Sequence, residues 1–389
     1  MLDRYDVIVS GAGPSGSRTA FLCCRAGLSV LLLDKHDFPR EKCCAGGLLP
    51  RAEAHLDGQL EGIPAQRRIK GLFVSLNGRA YDWRFEEELG CTVVRSEFDH
   101  HLLLLAERSG CETRLGVKAR RIVEHESSVE VSLSDGIVAS RFMVIAEGTA
   151  SGNATGLLGP YPRRGLMNAA AVLCEGKEEI GESAGFLLPG KGDAAAFSSA
   201  DAKICAAFPI RAGLVISTVS PSSGPSLIGA LEGIARVNGL VPKGKGCCHP
   251  IAVRPRSRLA TRRCLAVGDC AGLASPFSGE GLTPSLASAG DAAAAIIACV
   301  SGQRDSMKGY EEAARGRAER EQLMARLTGS AVDLAIRGRW ADVVLAGLER
   351  DPSFKEAAIS VAKREDGARA FLLRMIPRLP ALLALGASN

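Results

Sequence analysis

The sequence predicts an α/β protein in three parts: a parallel sheet with helices around a glycine-rich turn, an inserted antiparallel sheet, and a helical C-terminal region. A β-branched run, Tyr5 to Ser10, leads directly into the G-x-G-x-x-G turn of residues 11–16, and a helical segment and a second apolar run follow. Residues 160–255 contain many short strand patterns, whereas residues 304–373 are rich in Arg, Glu, Ala and Leu. The first pattern is typical of a Rossmann-type dinucleotide-binding domain.

Each glycine of the turn has a physical role that a nucleotide site requires. Gly11 permits the tight turn out of the strand, Gly13 lets a pyrophosphate approach the backbone, and Gly16 lets the helix pack closely on the sheet. The helix N-terminus offers N–H groups and the positive end of its dipole to phosphates. An acid after the second strand accepts hydrogen bonds from a ribose. The predicted contacts to the ADP half of a cofactor are Gly11, Gly13, Pro14, Ser15, Gly16, Asp34 and Lys35.

Composition narrows the class of protein. The 389 residues are 46% hydrophobic and 23% charged, which is an ordinary globular balance, enough for two or three domains. A net charge of +5 is not by itself the signature of a nucleic-acid-binding protein. The thirteen cysteines include no C-x-x-C pair, so we expect no metal site and reduced thiols in a cytoplasmic protein. We also expect neither a signal peptide nor a membrane-spanning helix.

The chain after Asp34 predicts a loop, then a short helix, then strands. Two glycines beside Cys43 and Cys44 in the segment 41–50 indicate backbone that approaches a ligand closely, although a structural turn with two packed thiols is the alternative. Residues 69–85 alternate as two strands around an Asn77-Gly78 turn. Ser96 is the predicted N-cap of a helix over residues 100–107. Further strands are expected at 111–124, 128–133 and 137–145, the last leading to Glu147-Gly148.

Residues 160–255 are predicted to form an antiparallel sheet that covers a substrate. Strand patterns occur at 166–173, 184–188, 194–198, 204–209 and 213–218, followed by a helix over 228–238. A further apolar strand, 262–269, precedes a long helix of small residues over 283–300.

A second cofactor motif is predicted where that strand ends, far along the chain from the first. The carboxylate of Asp269, after Gly268, suits a polyol hydroxyl, although a helix cap is the alternative. Pro276 and the pair Gly279-x-Gly281 at a helix start place N–H groups and a dipole end where negative charge develops.

These motifs, together with Arg95-x-x-Phe98-Asp99, resemble those of the FAD-containing hydroxylase superfamily typified by p-hydroxybenzoate hydroxylase. Within it, Lys42-x-Cys44-Ala45-Gly46-Gly47-Leu48 is similar to a loop of the geranylgeranyl reductase family. The resemblance implies FAD as the cofactor, with Arg95 along its phosphate or ribityl side and the Cys44 loop over one flavin face. The remaining residues implied to contact FAD are Cys44, Ala45, Gly46, Gly268, Asp269, Pro276, Gly279, Gly281 and Leu282.

The resemblance also implies a reaction: saturation of double bonds in an isoprenoid or prenyl-lipid substrate. Reduced FAD would deliver hydride to one alkene carbon while an acid, for which Cys44 is the candidate, protonates the other. The family often has Tyr-x-Trp-x-Phe-Pro in its substrate sheet, where this chain has Ala184-Gly185-Phe186-Leu187-Leu188-Pro189. Phe186, Leu188 and Pro189 are therefore the implied substrate contacts. Glu147-Gly148 stands where many hydroxylases have Asp-Gly, and the electron donor is NADPH or ferredoxin.

The expected domains are 1–60, 95–160 and 256–303 for FAD, 61–94 and 161–255 for substrate, and 304–389 as a helical C-terminal region. Two other functions stay open: an FAD-dependent aromatic or polyene monooxygenase, and a flavin- or lipid-binding protein without turnover. The apolar segment 371–385 either docks on the body of the protein or lies at a membrane surface. The sequence does not decide the oligomeric state.

Overall fold

A computed structural model describes residues 4–57, 59–76, 79–175, 181–188, 205–337, 341–363, 367–381 and 384. Its strands are β1 (Arg4–Ser10), β2 (Val30–Leu33), β3 (Gly47–Leu48), β4 (Ala65–Arg68), β5 (Gly71–Leu76), β6 (Arg79–Arg84), β7 (Cys91–Val93), β8 (Glu112–Arg114), β9 (Arg121–Glu124), β10 (Val129–Ser132), β11 (Ile137–Ile145), β12 (Leu166–Glu175), β13 (Ser183–Leu187), β14 (Cys205–Ile210), β15 (Gly213–Ser220), β16 (Val241–Ala252) and β17 (Cys264–Ala266). Its helices are α1 (Pro14–Arg25), α2 (Pro50–Glu53), α3 (Arg95–Arg108), α4 (Gly152–Leu158), α5 (Gly224–Val237), α6 (Leu282–Val300), α7 (Lys308–Arg337), α8 (Ala341–Arg350), α9 (Pro352–Lys363) and α10 (Gly367–Met375).

The first sheet contains the glycine-rich turn at the carboxyl end of its central strand. β1 pairs in parallel with β2 and β11, β2 with β8, and β11 with β17. β10 and β9 extend the sheet in antiparallel fashion beside β11. Val7, Ile8 and Val9 of β1 are fully buried, as expected for a strand covered on both faces. Helices α1 and α6 pack against each other on this sheet and position both cofactor motifs.

The second sheet has seven strands in the order β16-β12-β15-β14-β13-β5-β6. All of its pairs are antiparallel except β13 with β5. Helix α5 covers one face, where Leu227, Leu231 and Ile234 are fully buried. The other face points away from α5, and its β15 side chains, Val215, Ser217 and Val219, are half-buried, whereas those on the α5 side are buried.

The C-terminal helices pack against the β6 edge of this second sheet. Trp83 of β6 lies 4.7 Å from Phe354 of α9, measured between ring centroids, and Phe354 contacts Phe371 of α10. The Tyr81 hydroxyl donates a hydrogen bond to the Asp342 carbonyl at the start of α8 (3.3 Å). A third, small sheet joins β3, β7 and β4 between the two large ones.

Several local predictions were wrong. Helix α3 begins at Arg95 after Val94, so Ser96 lies inside the helix and is not its N-cap. The segment 111–124 forms two short strands, β8 and β9, and not one. β16 was missed because its residues, VPKGKGCCHPIA, combine glycine, proline and lysine and lack an apolar alternation. The predicted turn at Asn77-Gly78, the strand at 194–198 and the contact residue Pro189 lie outside the described residues.

One helix, α6, is long and apolar enough by composition to cross a membrane. Half of the apolar window in this helix is buried inside the protein, where α6 packs on α1, α2 and α7. This is the environment of a core helix. Length and composition alone do not distinguish a core helix from a membrane-spanning helix.

The expectation that all thiols are reduced is wrong for one pair. Cys43 and Cys247 form a disulfide, with their Cα atoms 5.6 Å apart and 204 residues between them in the chain. Such a separation gives no local sequence signal, because the two cysteines come together only when the loop after β2 meets β16.

Candidate cofactor-binding site

The G-x-G-x-x-G turn has no room for side chains at its first and last glycines. A Cβ atom on Gly11, which has φ +105°, would lie 2.3 Å from the Ala146 carbonyl oxygen at the end of β11. A Cβ atom on Gly16 would lie 1.8 Å from the Gly11 carbonyl oxygen. The turn therefore presses directly against the neighbouring parallel strand, and only glycine allows that approach.

Gly13 differs from these two glycines because no backbone atom of the described residues crowds its missing side chain. The nearest heavy atom to a Cβ built there is the Arg40 Nη2 atom, at 3.4 Å. No side chain caps the N-terminus of α1, and Pro14 occupies its first turn. An exposed backbone, a helix N-terminus and a guanidinium in front of them form a suitable site for a pyrophosphate.

The Asp34 carboxylate stabilises the glycine-rich turn by hydrogen bonding to its backbone. Its Oδ2 atom accepts a hydrogen bond from the Ala12 N–H (2.8 Å) and its Oδ1 atom accepts one from the His36 N–H (2.9 Å). The carboxylate is 7% exposed and stands at the carboxyl end of β2, where a ribose hydroxyl would meet it. The side chain of its neighbour Lys35 is exposed.

The two distant motifs meet in space. Gly268, with φ +60°, lies so close to α1 that a Cβ on it would be 2.8 Å from the Ser15 Oγ atom and 2.9 Å from the Ser285 Oγ atom. The Gly268 N–H also donates to the Ser288 hydroxyl of α6 (3.0 Å). The first G-x-G-x-x-G turn and the Gly268-Asp269 turn, 250 residues apart, therefore line one site.

The segment 275–281 closes this site toward the second sheet. The Gly279 N–H donates to the Ser275 carbonyl (3.0 Å), which forms a compact turn before α6. A Cβ on Gly281 would lie 3.2 Å from the Asp269 Oδ1 atom, and a Cβ on Gly279, with φ +68°, would lie 2.3 Å from Val219 Cγ1 on β15. Pro276 is half-buried in the same turn, and Leu282 is buried at the start of α6.

The Cys44 loop lies on the opposite side of the same site. The Gly46 N–H donates to the Cys44 sulfur (3.3 Å), and Gly46 has φ +78°. A Cβ on Gly46 would lie 2.1 Å from the Val93 carbonyl oxygen, and one on Gly47 would lie 2.5 Å from the Phe208 ring of β14. Ala45, between Cys44 and Gly46 in the loop, is half-buried. The glycines therefore hold the loop between β7 and the second sheet.

A buried group of charges underlies this loop. The Arg95 Nε and Nη2 atoms donate to the two carboxylate oxygens of Asp99 (2.7 and 2.9 Å), and Arg40 Nη2 lies 3.3 Å from Asp99. Burial opposes the charge of Arg95, but the Asp99 carboxylate and the nearby Cys44 sulfur raise its pKa above the usual range. Arg95 therefore stays cationic beside Cys44, with Asp99 as its hydrogen-bond partner.

Two basic residues near the site have lowered pKa values. Burial lowers the pKa of Lys42 to about 8, opposed by Asp269 and reinforced by Arg95 and Arg40. Burial, together with the nearby cation of Lys42, lowers the pKa of His249 to about 4. His249 is therefore neutral at pH 7, and its buried Nε2 atom has no hydrogen-bond partner among the described residues. Arg40 and His249 were not predicted as site residues, because they belong to no motif and only the fold places them at the site.

The pKa of Lys42 predicts how FAD affinity depends on pH. The ammonium form, which prevails below about pH 8, favours an anionic phosphate group, whereas the neutral amine above it does not. We expect FAD affinity to be highest below this pH and to fall by up to about tenfold per pH unit above it. Fluorescence titration of the apoprotein measures this fall, and Lys42→Arg, which keeps its charge, should remove it. Equal pH dependence in both proteins would contradict the prediction.

Glu147, at the position where many hydroxylases have Asp, has a structural role. Its Oε1 atom accepts hydrogen bonds from the Ser10 hydroxyl (2.7 Å) and the Asn153 amide (2.8 Å), and its Oε2 atom accepts one from the Ser151 hydroxyl (2.6 Å). These three donors tie the end of β1 to α4. The longer side chain is therefore accommodated by three local partners.

Small side chains line the cofactor-facing side of the second sheet. Ala169 pairs with Val219, Ala171 with Ser217, Ser217 with Ala206, and Ala206 with Phe186, so these residues share one face. We call this the alanine stripe, and its members are Ala169, Ala171, Ala206, Ser217, Val219 and Phe186. It begins where Val219 meets Gly279 and ends at Phe186, which is 37% exposed. Leu188 is half-buried against the C-terminal helices.

The N-terminal part of the chain is similar in sequence to known FAD-binding proteins. Residues 4–157 match the family model of the FAD binding domain. The chain is 39% identical to menaquinone reductase of Mycobacterium tuberculosis over 159 residues, which is 38% of this chain and 39% of that protein. It is 32% identical to digeranylgeranylglycerophospholipid reductase 2 of Methanopyrus kandleri over 165 residues, which is 40% of this chain and 41% of that protein. The match thus spans about two fifths of the length of these relatives.

Solved structures extend the likeness over the whole fold. A geranylgeranyl bacteriochlorophyll reductase-like protein from Thermoplasma acidophilum superposes with a TM-score of 0.76 at 19% identity, covering 99% of this chain and 98% of that one. A mutant of the halogenase PltM in complex with FAD superposes with a TM-score of 0.68 at 16% identity, covering 95% and 85%. The predicted Rossmann-type α/β fold is confirmed, and its N-terminal part is an FAD-binding domain. The open backbone at Gly13 and the joined motifs fit this cofactor.

Proposed function

We propose that the protein is an FAD-dependent oxidoreductase that reduces carbon–carbon double bonds of an isoprenoid chain in a lipid or a prenylated precursor. The alanine stripe is the observation that carries this proposal. It leads from the two cofactor loops across four strands, and apart from Ser217 its side chains are apolar, with three alanines between the larger Val219 and Phe186. An extended aliphatic chain fits such a surface, and the names of the relatives, a menaquinone reductase and a prenyl-lipid reductase, support this substrate class.

The chain's own residues account for binding and orientation. FAD, when bound, supplies hydride chemistry, and the protein supplies position and surroundings. Gly13, the α1 N-terminus and Arg40 would hold its phosphates, while Asp34 and Asp269 would accept hydrogen bonds from its sugar and ribityl hydroxyls. The alanine stripe would exclude water along the chain of the substrate. Because an isolated alkene cannot delocalise charge, a proton must be available close to the reacting carbon.

Cys44 is the proposed source of that proton. It lies in the loop that Gly46 and Gly47 hold against β7 and the second sheet, with Arg95 beside its sulfur. A thiol S–H group can act as a general acid when it lies next to the reacting carbon. Lys42 and His249 are further titratable groups near the site, and the lowered pKa of His249 leaves it neutral and a weak acid donor at pH 7.

The test uses the anaerobic protein with its flavin photoreduced. Adding a geranylgeranyl lipid should restore the oxidised flavin spectrum, and mass spectrometry should show product with two added hydrogens per reduced bond. Cys44→Ala should slow this reoxidation by about 100-fold or more, the usual contribution of a positioned acid. Reoxidation by oxygen should be unchanged. Cys24→Ser, a half-buried thiol in α1, is the matched control and should retain the wild-type rate.

The outcomes separate the remaining functions. An unchanged rate in Cys44→Ala would reject Cys44 as the proton source while leaving the reductase function standing. Oxygen uptake stimulated by an aromatic compound, with no reduced prenyl product, would instead indicate a monooxygenase. Binding of FAD and lipid with no reoxidation by any prenyl compound would indicate a binding protein without turnover.

The electron donor, NADPH or ferredoxin, and the cytoplasmic location stay predictions. Contact with a membrane surface also stays a prediction, and the described end of the chain shows which residues would make it. Leu373 and Ile376 are more than 60% exposed and Leu379 is 41% exposed. Arg374 and Arg378 flank them and form ion pairs with Glu356 and Asp351. An apolar surface beside basic side chains suits an enzyme that takes its substrate from a bilayer.

A further inference from the structure

The Cys43–Cys247 disulfide connects the two halves of the site. Cys43 belongs to the segment 35–46, which we call the cofactor loop, and lies directly before Cys44. Cys247 lies in β16, opposite Ala171 of the alanine stripe. The Cys43 sulfur is also 4.0 Å from the Ala169 carbonyl oxygen of β12. A single covalent bond therefore ties the loop that carries the candidate acid to the sheet that carries the substrate surface.

Strand β16, which carries Cys247, has an interrupted hydrogen-bond ladder near this cysteine. Among the described strands, β16 lies at the edge of the sheet and pairs with β12 alone. The register between them shifts between Ala171 and Leu173, so that residues 243–247 of β16 face only three residues of β12. A bulge of this kind, here containing Gly244 and Gly246, interrupts the ladder of hydrogen bonds. The disulfide thus attaches the cofactor loop to the part of the sheet with the least backbone support.

The sulfur of Cys247 can be reached from solution. Cys247 is exposed and Cys43 is half-buried. The adjacent Cys248 points to the other face, where its sulfur packs against Gly224 of α5. Of the two neighbouring cysteines in β16, only Cys247 therefore offers a sulfur to the cofactor loop. A thiol from outside would attack Cys247 and displace Cys43.

Several basic side chains lie near the β16 segment that carries Cys247. His249, two residues from Cys247 along β16, lies within electrostatic range of Lys42, Arg95, Lys35 and Arg40. Basic side chains of this kind stabilise a leaving thiolate. Of these four cations, only Arg95 lies outside the cofactor loop that carries Cys43.

We propose that Cys43–Cys247 is a redox-active clasp, which a dithiol reductant opens and which a disulfide oxidant closes by the reverse thiol–disulfide exchange. A thiolate of the reductant attacks the Cys247 sulfur, the Cys43–Cys247 bond breaks, and Cys43 leaves as a thiolate. The second thiol of the reductant attacks the mixed disulfide and releases Cys247. Two electrons and two protons pass to the protein, and the reductant leaves as its own cyclic disulfide.

Opening the clasp frees the cofactor loop from the sheet. Among the described contacts, the loop then keeps its anchors at each end, where the Asp34 carbonyl binds the Val117 N–H and the Gly46 carbonyl binds the Val93 N–H. It also keeps the contact between Arg40 and Asp99. Because Arg40 stands in front of the open backbone at Gly13, a mobile loop would release FAD faster and expose the end of the alanine stripe.

The test compares the protein in oxidised and reduced dithiothreitol, independently of any substrate. Peptide mapping should recover a Cys43–Cys247 linked pair only in the oxidised sample. Hydrogen exchange in residues 38–47 should be about tenfold faster in the reduced sample, and FAD should dissociate several times faster. Cys247→Ser should show the faster values under both conditions. Cys248→Ser, one position away in the same strand, should keep the redox response.

Two results would overturn the proposal. One is the absence of a linked Cys43–Cys247 peptide after oxidation with diamide, which would show that the two thiols do not pair in solution. The other is a linked pair whose reduction changes neither hydrogen exchange in the loop nor the rate of FAD release. Cys43→Ser provides an independent check in case Cys247→Ser fails to fold. Neither readout depends on the substrate proposed above, so failure of the clasp leaves that function untouched.

Discussion

Gly16→Ala is expected to abolish FAD binding and to lower the free energy of unfolding by about 3 kcal/mol. The new Cβ atom would lie 1.8 Å from the Gly11 carbonyl oxygen and 3.1 Å from the Ala146 side chain. Neither neighbour can rotate away, because one is backbone and the other lies at the end of β11. Relief of this clash requires α1 to move off the sheet, which disrupts the turn that would hold the phosphates.

Gly156→Ala in α4 is the matched control. No atom lies within 4 Å of a Cβ built there, and α4 is a regular helix. Alanine is the better helix former by up to about 1 kcal/mol, so this variant should be as stable as the wild type or slightly more stable. Urea unfolding and the absorbance of bound flavin measure both effects. Retention of full FAD content by Gly16→Ala would show that the turn does not bind the cofactor as proposed.

The second large effect is expected for Asp99→Asn, which should lower the free energy of unfolding by about 3 to 5 kcal/mol. Asp99 is fully buried and receives two hydrogen bonds from Arg95, with Arg40 also within ion-pair distance. Removing its charge leaves two guanidinium groups in a poorly hydrated place without a counter-charge. The positions of Arg40 and Cys44 would change as well, so FAD affinity should fall with stability.

An exposed pair of the same spacing provides the control. Glu232 and Arg236 also lie four residues apart on a helix, α5, but their side chains are 31% and 64% exposed. Glu232→Gln should change the free energy of unfolding by about 0.5 kcal/mol or less. Chemical denaturation of both variants gives the comparison. Equal small losses would mean that the Arg95–Asp99 pair contributes no more than a surface ion pair.

The sequence predicted structure best in short segments where neighbouring residues determine both the backbone geometry and the chemistry. The turn at Gly11, Gly13 and Gly16 could be predicted because each glycine answers a steric requirement that no other residue meets. The strands on either side follow from short apolar runs, and β11 was predicted with its observed bounds, 137–145. The second motif at Gly268 was predictable for the same reason, as a strand end followed by a small-residue helix.

The rest could not be predicted because it depends on contacts between distant segments. Nothing near Cys43 indicates Cys247 as its partner, and β16 lacks the alternation that reveals a strand. The basic side chains of Arg40 and Lys42 belong to the loop pattern, but only the fold brings them to Asp99 and Asp269. The predicted domain boundaries and the roles of the individual site residues stay predictions.

The contact between Gly279 and Val219 has a consequence for any change of substrate range. Because the cofactor turn and the sheet touch there without a gap, a larger side chain at position 219 would displace the turn beside the flavin as well as narrow the substrate surface. Under the proposed function, selectivity and redox chemistry are therefore expected to be mechanically linked at this end of the stripe. Variation that alters chain length or head group without disturbing electron transfer has to come from the far end, around Phe186.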